Sequence, residues 1–514
     1  MSASLLLAVA AFGAGAVARQ DVFASVDNCV FSNGVAVVEF KAIPGAALEI
    51  DVEPPCGMTD IGFTDVTENG VRRVTIRKAE STSSSVRSVS LVRRNCLRGR
   101  TTKPLPLYAP NEVMTFEVGL SGFAGRDRTS LFLKWRRSGD DGKTESGRVA
   151  MSRPFVYHTS LDRPGFVRLE GMLEEADGKP VVVECNDRRG NVICDLGAGV
   201  DIGRIRPAVP APSDFDAFWK KRRDKLEKTT WRGREQLEEI ASPLDEVRVF
   251  RLKVPCVEGV DLVGYFTIPR KPGKYPACAF FQGYGASFGP YHTQTPSTEM
   301  LKHYARGRVL LSASPHGLEL GRDATYYKAF RKSLRSNGCD HGFDPMQNAD
   351  PEKPYYSGMS YRVLRALDYL KSREEWNGKD LVVTGGSQGG LQSIWCAALD
   401  HDVTDCSVFI PWNCDIGGTE LGRNRGTWYV KWVPGLGYYD ACSMASRIPG
   451  TCRVNVTMAG LGDYICPPSG VMAFYNSVTA PKKIVFVQNA QHGNCLESRP
   501  QKFTLEGDAV VSAN

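Results

Sequence analysis

The chain has 514 residues, 42% of them hydrophobic and 24% charged, with 64 basic and 57 acidic side chains and a formal net charge of +7. That length asks for two to four domains, and the composition excludes a fibrous or disordered chain in favour of a soluble globular one. The densest basic run, KKRRDK at 220–225, lies in a helix-like stretch without interleaved aromatics, so it reads as a solvated face and gives no nucleic-acid-binding surface.

The first twenty residues, MSASLLLAVAAFGAGAVARQ, are apolar or small from 5 to 18, and Ala16-Val17-Ala18 is a small-x-small cleavage pattern before Arg19. Residues 1–18 therefore read as a signal peptide, and the mature protein as secreted or periplasmic. The stretch is too short to span a bilayer, and no later apolar run reaches 18 residues, so no membrane span is expected. Export permits disulfides, but fifteen cysteines is an odd number, and several, such as Cys278 in YPACAFF, sit in apolar strand-like runs as small buried hydrophobes. No CxxC and no zinc-like Cys/His spacing is present, so neither metal nor cofactor is expected.

From 20 to about 206 the chain is a series of short β-rich runs: VAVVEFKAI, VRRVTIRKA, SVRSVSLVRR, VMTFEVGL, SLFLKWRR and KPVVVEC. Gly, Asp, Asn and Pro turns separate them. This predicts one or two small Ig-like β-sandwich modules, at 19–103 and 104–206, with a seam in TTKPLPLYAPNE. RPAVPAPSDF reads as a linker. SDFDAFWKKRRDKLEK then predicts a helix with an Asp or Ser N-cap. VRVFRLKV and LVGYFTIP read as a hairpin. After them apolar runs alternate with amphipathic helices, such as SYRVLRALDYLKSR, whose Leu364, Leu367 and Leu370 share a side. Residues 207–514 are thus predicted to be an α/β domain, a mostly parallel sheet with helices on both faces and its site at the carboxyl ends of the strands.

One such strand end reads DLVVTGGSQGG. Strand, Gly-x-Ser-x-Gly, helix is the nucleophile-elbow arrangement, which makes Ser387 the candidate nucleophile and the Gln388 N–H an oxyanion donor. A hydroxyl needs a base. Of the two later histidines, His401 closes the elbow helix at its far end, whereas His492 follows the strand KIVFVQ. Two carboxylates compete to orient the base: Asp463, after RVNVTMAGLG, and Asp415, after SVFIPWNC. Asp463 is favoured because it lies one strand before the histidine, giving the order Ser, Asp, His. FFQGYGASFG supplies a second oxyanion donor, the Tyr284 N–H, and its glycines miss the dinucleotide-binding spacing. Tyr284 and Phe288 are bulky enough to narrow an acyl pocket. Cys466 and Cys495 each fall three residues after a candidate triad member, which leaves two readings, a disulfide bracing acid against base or two unpaired thiols.

Residues 212–495 resemble the family-seven carbohydrate esterases, the acetyl xylan esterase and cephalosporin C deacetylase group. The resemblance is carried by FFQGYGASFG, YYSGMSYRVLRALDYL, VTGGSQGG and GLGDYICPPSGVMAFYN. It implies an α/β-hydrolase fold and a serine esterase acting on acetylated carbohydrate, with nucleophile, acid and base at Ser387, Asp463 and His492 and oxyanion donors at Tyr284 and Gln388. The chain departs from the family at Gln282-Gly283, where His-Gly is usual, at His492-Gly493, where His-Glu is usual, and at SASPHGLELGRD, which replaces an Arg-Gly-Gln segment. The family often forms hexamers; the large N-terminal β region leaves the oligomeric state open. His316, in SPHG, is a candidate substrate contact or a structural residue. Two rivals remain. One is a serine peptidase of the prolyl oligopeptidase type, whose propeller repeats are not visible in 20–206. The other is a polysaccharide-binding protein with an inactive hydrolase domain.

Overall fold

Two strand-rich units precede the α/β unit in the computed structural model, which describes residues 18–513 except 20–21, 28, 33, 44–45, 54–60, 79–84, 94–95, 122, 124–126, 186–187, 286–292, 424–425, 427 and 498–499. The expected leader therefore lies outside the described residues, apart from Ala18, which with Arg19 pairs in parallel with Asn494 and Cys495. In the first unit one three-stranded sheet holds Val22–Asp27, Ser85–Arg93 and Ala46–Glu53, and another holds Val35–Lys41, Val71–Lys78 and Ile61–Glu68. Val38, Phe40, Val74, Ile76, Val89 and Leu91 form the core between them, drawn from alternate positions, as a sheet with one covered face requires.

The second unit pairs Phe155–Thr159, Met114–Ser121 and Cys96–Thr101 in one sheet. The other sheet contains Thr144–Ala150, Leu131–Gly139, Gly165–Glu175, Ile193–Val200 and Leu107–Tyr108. Phe116 and Val118 of the first meet Leu133, Leu169 and Leu196 of the second. Cys96–Thr101, on the N-terminal side of the seam expected near 103, is hydrogen-bonded to Met114–Ser121 and so belongs to this second sandwich. Ile193–Val200 is buried at every position after the first, without alternation. Cys194, Leu196, Ala198 and Val200 face the sandwich core, while the intervening Asp195 and Gly197 rest on the α/β unit.

The α/β unit opens with the helix Phe215–Glu227. Asp214 occupies its N-cap position but makes no capping bond; its carboxylate instead accepts from the Tyr438 hydroxyl at 2.5 Å. The basic run on this helix is more than a solvated face. Arg222 is buried, donating to Glu352 and to Ser357 and Ser360, and Arg223 pairs with Asp368. An eleven-stranded sheet follows. Its centre is parallel, in the order Val309–Ser314, Tyr275–Phe281, Trp376–Gly386, Asp405–Phe409, Arg453–Gly460 and Lys482–Val487, with antiparallel strands on both edges. Val309–Ser314 is buried throughout, because helices cover both faces. The fold is an α/β-hydrolase preceded by β-sandwich modules. No helix among the described residues is long and apolar enough to cross a membrane.

Candidate active site

The elbow is built by exclusion. A Cβ on Gly389 would stand 2.1 Å from the Phe281 carbonyl oxygen, and one on Gly385 would stand 2.5 Å from the same atom. Gly390 is nearly as confined, at 3.0 Å from the Pro411 Cα. Strand Tyr275–Phe281, the elbow and helix Gln388–Leu399 can close on one another only without side chains there. Ser387 pays for this closeness with a backbone at φ 56° and ψ −117°, a region a non-glycine residue enters only under constraint. The constraint is visible: its N–H donates to the Phe409 carbonyl at 2.9 Å, and its carbonyl accepts from the Leu391 and Trp412 N–H groups, both at 3.1 Å. The segment that clamps it is itself strained, with Ile410 at φ 42° and Asn413 at φ 53°.

Gln388 is the first residue of the elbow helix, so its N–H is among the four that lack an intrahelical acceptor and is available to an anion. Tyr284 follows the neighbouring strand by three residues and is held from several sides. Its hydroxyl donates to the His341 carbonyl at 3.0 Å. Its ring stacks on His341 at 4.0 Å and meets Trp428, Trp412 and Phe343 edge-on at 5.1 to 5.9 Å. Phe288, the other residue expected to narrow the pocket, lies outside the described residues.

The acid and base meet as drawn from the sequence. His492 Nδ1 lies 3.0 Å from Asp463 Oδ2, and the other carboxylate oxygen accepts from the backbone N–H groups of Ile465 (3.0 Å) and Cys466 (2.9 Å). Asp463 is 1% exposed. Because that carboxylate oxygen accepts, Nδ1 of His492 carries the hydrogen and Nε2 is left as acceptor. His492 itself is part-exposed.

The competing residues sit elsewhere. Asp415 is locked in an ion pair with Arg423 at 2.7 Å, accepts from the Ala208 N–H, and makes no bond to His492 among the described residues. His401 is exposed beyond the far end of the elbow helix. His316 is buried, its Nδ1 bonded to the Tyr355 hydroxyl and its ring edge-on to His341, which makes it structural. Burial holds His341 down to a pKa of about 4, and burial with the nearby His341 and Arg362 pushes His316 further below the usual range. Both are neutral.

Of the two readings for Cys466 and Cys495 the structure has the one without a bridge between them. Cys495 points into an apolar cluster with Phe409, Met458 and Val487. Cys466 turns the other way, its sulfur within 4.8 Å of ligand atoms of Asp463 and His492. Burial, and then the Asp463 charge, raise its thiol well above the ordinary range, so it is a neutral neighbour. Ligand atoms of Asp463, Cys466 and His492 lie within 4.8 Å of one another. A cation held by all three would have to take lone pairs that Asp463 now spends on the His492 bond, and the set is better described as an acid–base pair with a thiol beside it. Sequence reasoning missed Cys466 as a site residue, and it missed Trp412 and Trp428, whose only sequence signal is their place after a buried strand. A pocket beside Cys466 is walled by Trp412, Trp428, Tyr429 and Tyr464, and Trp428 and Tyr429 are exposed.

A family model described as acetyl xylan esterase (AXE1) matches residues 199–419 and 429–505, more than half of the chain. The acetyl esterase Axe7A of Xylanibacter ruminicola is 27% identical over 373 residues, covering 69% of this chain and 77% of that protein. Among solved structures, acetyl xylan esterase 1 from Thermoanaerobacterium sp. JW/SL YS485 aligns with a TM-score of 0.47 and 22% identity over 57% of this chain and 92% of that one. The acetyl xylan esterase from Paenibacillus sp. R4 aligns with a TM-score of 0.47 and 23% identity over 57% and 93%.

Proposed function

The chain belongs to the acetyl xylan esterase family and is a carboxylic ester hydrolase, and we propose that it removes acetyl groups from carbohydrate outside the cytoplasm through a Ser387–His492–Asp463 triad. The observation that carries the mechanism is the bond from His492 Nδ1 to the buried Asp463 carboxylate, and a serine held at φ 56° on a glycine-walled elbow supplies the nucleophile. The Ser387 oxygen attacks the acetyl carbonyl carbon while His492 Nε2 takes the hydroxyl proton. The carbonyl electron pair moves onto oxygen, facing the N–H groups of Gln388 and Tyr284. When the tetrahedral adduct collapses, the C–O bond to the sugar breaks, and His492 returns its proton to the departing sugar oxygen. The acetyl group remains on Ser387. A water then attacks the acetyl carbon, giving its proton to His492, and acetate leaves as that proton returns to Ser387.

Acetyl preference is supported by the aromatic wall of the pocket beside Cys466, where Trp412 and Trp428 pack against the buried Tyr284 ring. The acetyl esterase activity named for the Xylanibacter ruminicola relative agrees with this reading. The leader-like residues 1–18 support export. Aryl acetate, butyrate and octanoate test the pocket. A closed one gives kcat/KM falling along the series. A rise with chain length, as expected where each added CH₂ gains about 0.8 kcal/mol in an open apolar pocket, would contradict the acetyl reading.

A further inference from the structure

The β-sandwich touches the catalytic loops directly. Strand Ile193–Val200 runs beneath both the acid loop and the base loop. Gly197 stands so close to the acid loop that a Cβ there would be 2.6 Å from the Leu461 carbonyl oxygen, and a Cβ on Gly462 would be 2.5 Å from the Asp195 Cγ. The Asp195 N–H donates to Asn489 Oδ1 at 2.9 Å, and the Gly197 N–H and carbonyl both bond the Gln488 side chain at 2.8 Å. Asn489 also donates to the Leu97 carbonyl, on another sandwich strand. The Asp195 carboxylate is buried and held by Arg168 of strand Gly165–Glu175 through a two-pronged pair at 2.7 and 2.6 Å. Its Oδ2 then accepts from Gln491 Nε2 at 3.0 Å. Gln491 precedes His492. The Arg168 guanidinium, also 3.0 Å from Glu170, lies 4.4 Å from the centre of the Tyr464 ring, and Tyr464 follows Asp463.

Resting on the triad reading above, we propose that Arg168 and Asp195 of the sandwich are positioning residues for the acid–base pair, acting through Tyr464 and Gln491. One planar ion pair reaches the neighbour of the base with its carboxylate and the neighbour of the acid with its guanidinium. The separation of Asp463 and His492 is thereby referred to a rigid strand pair outside the hydrolase sheet. Loops alone would leave His492 free to drift from Ser387, and a displacement of about 1 Å costs up to about 100-fold in rate. Neither residue touches substrate.

The test uses the full chain and aryl acetate. Gln491→Ala removes the amide that reaches Asp195 and leaves the sandwich ion pair in place, at a part-exposed position where folding is safe. The expected result is a fall in kcat of about 10-fold or more with KM within about twofold and thermal stability nearly unchanged. Asp195→Ala lowers kcat and thermal stability together. Adding Gln491→Ala to it should lower kcat no further, because both changes break the same link. A Gln491→Ala enzyme with kcat within about twofold of wild type, or kcat losses that multiply in the double variant, would overturn the proposal and leave the sandwich as a cover for the loops. Ser387→Ala, run in parallel, separates this from the triad reading: if that variant turns over at the wild-type rate, both fall, whatever Gln491→Ala does.

Discussion

At the scale of single residues, the glycine-flanked serine is explained by atoms that would otherwise overlap. The Phe281 carbonyl leaves no room at 385 or 389, and the Phe409 and Trp412 backbones hold Ser387 in its strained conformation. Gly389→Ala should therefore destabilise the fold by more than about 2 kcal/mol and remove activity, measured by thermal melting and aryl acetate turnover. A variant with native stability and rate would show that the elbow can open without cost. The two aspartates separate as cleanly. Asp463→Asn should keep the fold and lower kcat by about 1,000- to 10,000-fold, since an amide cannot hold His492 in the required tautomer. Asp415→Asn leaves Arg423 without its charge partner and should lower thermal stability more than it lowers kcat per folded molecule. These assignments were legible in the sequence because each candidate follows a buried strand at its carboxyl end. The direction of a side chain was not: Cys466 and Cys495 have matching spacing, yet one turns toward Asp463 and His492 and the other into an apolar cluster.

At the scale of elements, the Tyr284 turn is held against a layer of buried His316 and His341 and part-buried Tyr355. His341 sits near pKa 4 in the folded chain, below the ordinary histidine value of 6.5. Between those values the unfolded chain binds the extra proton and the folded chain does not. The contribution of His341 to stability is then complete above pH 6.5 and lost as pH falls toward 4. His341→Phe keeps a ring against Tyr284 but cannot titrate. The stability of wild type relative to that variant should therefore fall between pH 7 and 4, by on the order of 3 kcal/mol at most. A pH-independent difference would mean that His341 is not held neutral by burial. Helices Phe215–Glu227, Tyr355–Lys371 and Gln388–Leu399 and the parallel strands of this unit followed from periodicity and turn residues, whereas Ala324–Ser333 and Pro468–Ser477 were not singled out. Strand Ile193–Val200 did not, because both of its faces are covered, one by the sandwich core and one by the loops that carry Asp463 and His492. ICDLGAGV consequently shows no alternation, and its glycines read as turn signals rather than as close approaches.

At the scale of the whole molecule, the N-terminal β region and the hydrolase share a buried polar seam. Gln488 and Asn489, both fully buried, spend their amides on Gly197, Asp195 and Leu97, and Phe166 packs 5.9 Å from Phe486. A chain of residues 207–514 alone would expose these amides and apolar rings, and should be aggregation-prone or at least about 100-fold slower on aryl acetate. Size-exclusion chromatography and kcat on the truncated chain check this; a monodisperse fragment with wild-type kcat would contradict it. The sequence made two kinds of unit visible, strand-rich and then alternating. The contact between them was hidden, since the residues that make it are a lone aspartate, two amides and two glycines spread over nearly 300 positions.

Ser387 is the residue on which the proposed mechanism depends most directly. Purified wild type and Ser387→Ala, shown by thermal melting to be equally folded, are to be compared for acetate release from acetylated xylo-oligosaccharides. The triad account predicts release by the wild type and a loss of at least about 10,000-fold in the variant. Equal release by both would contradict it.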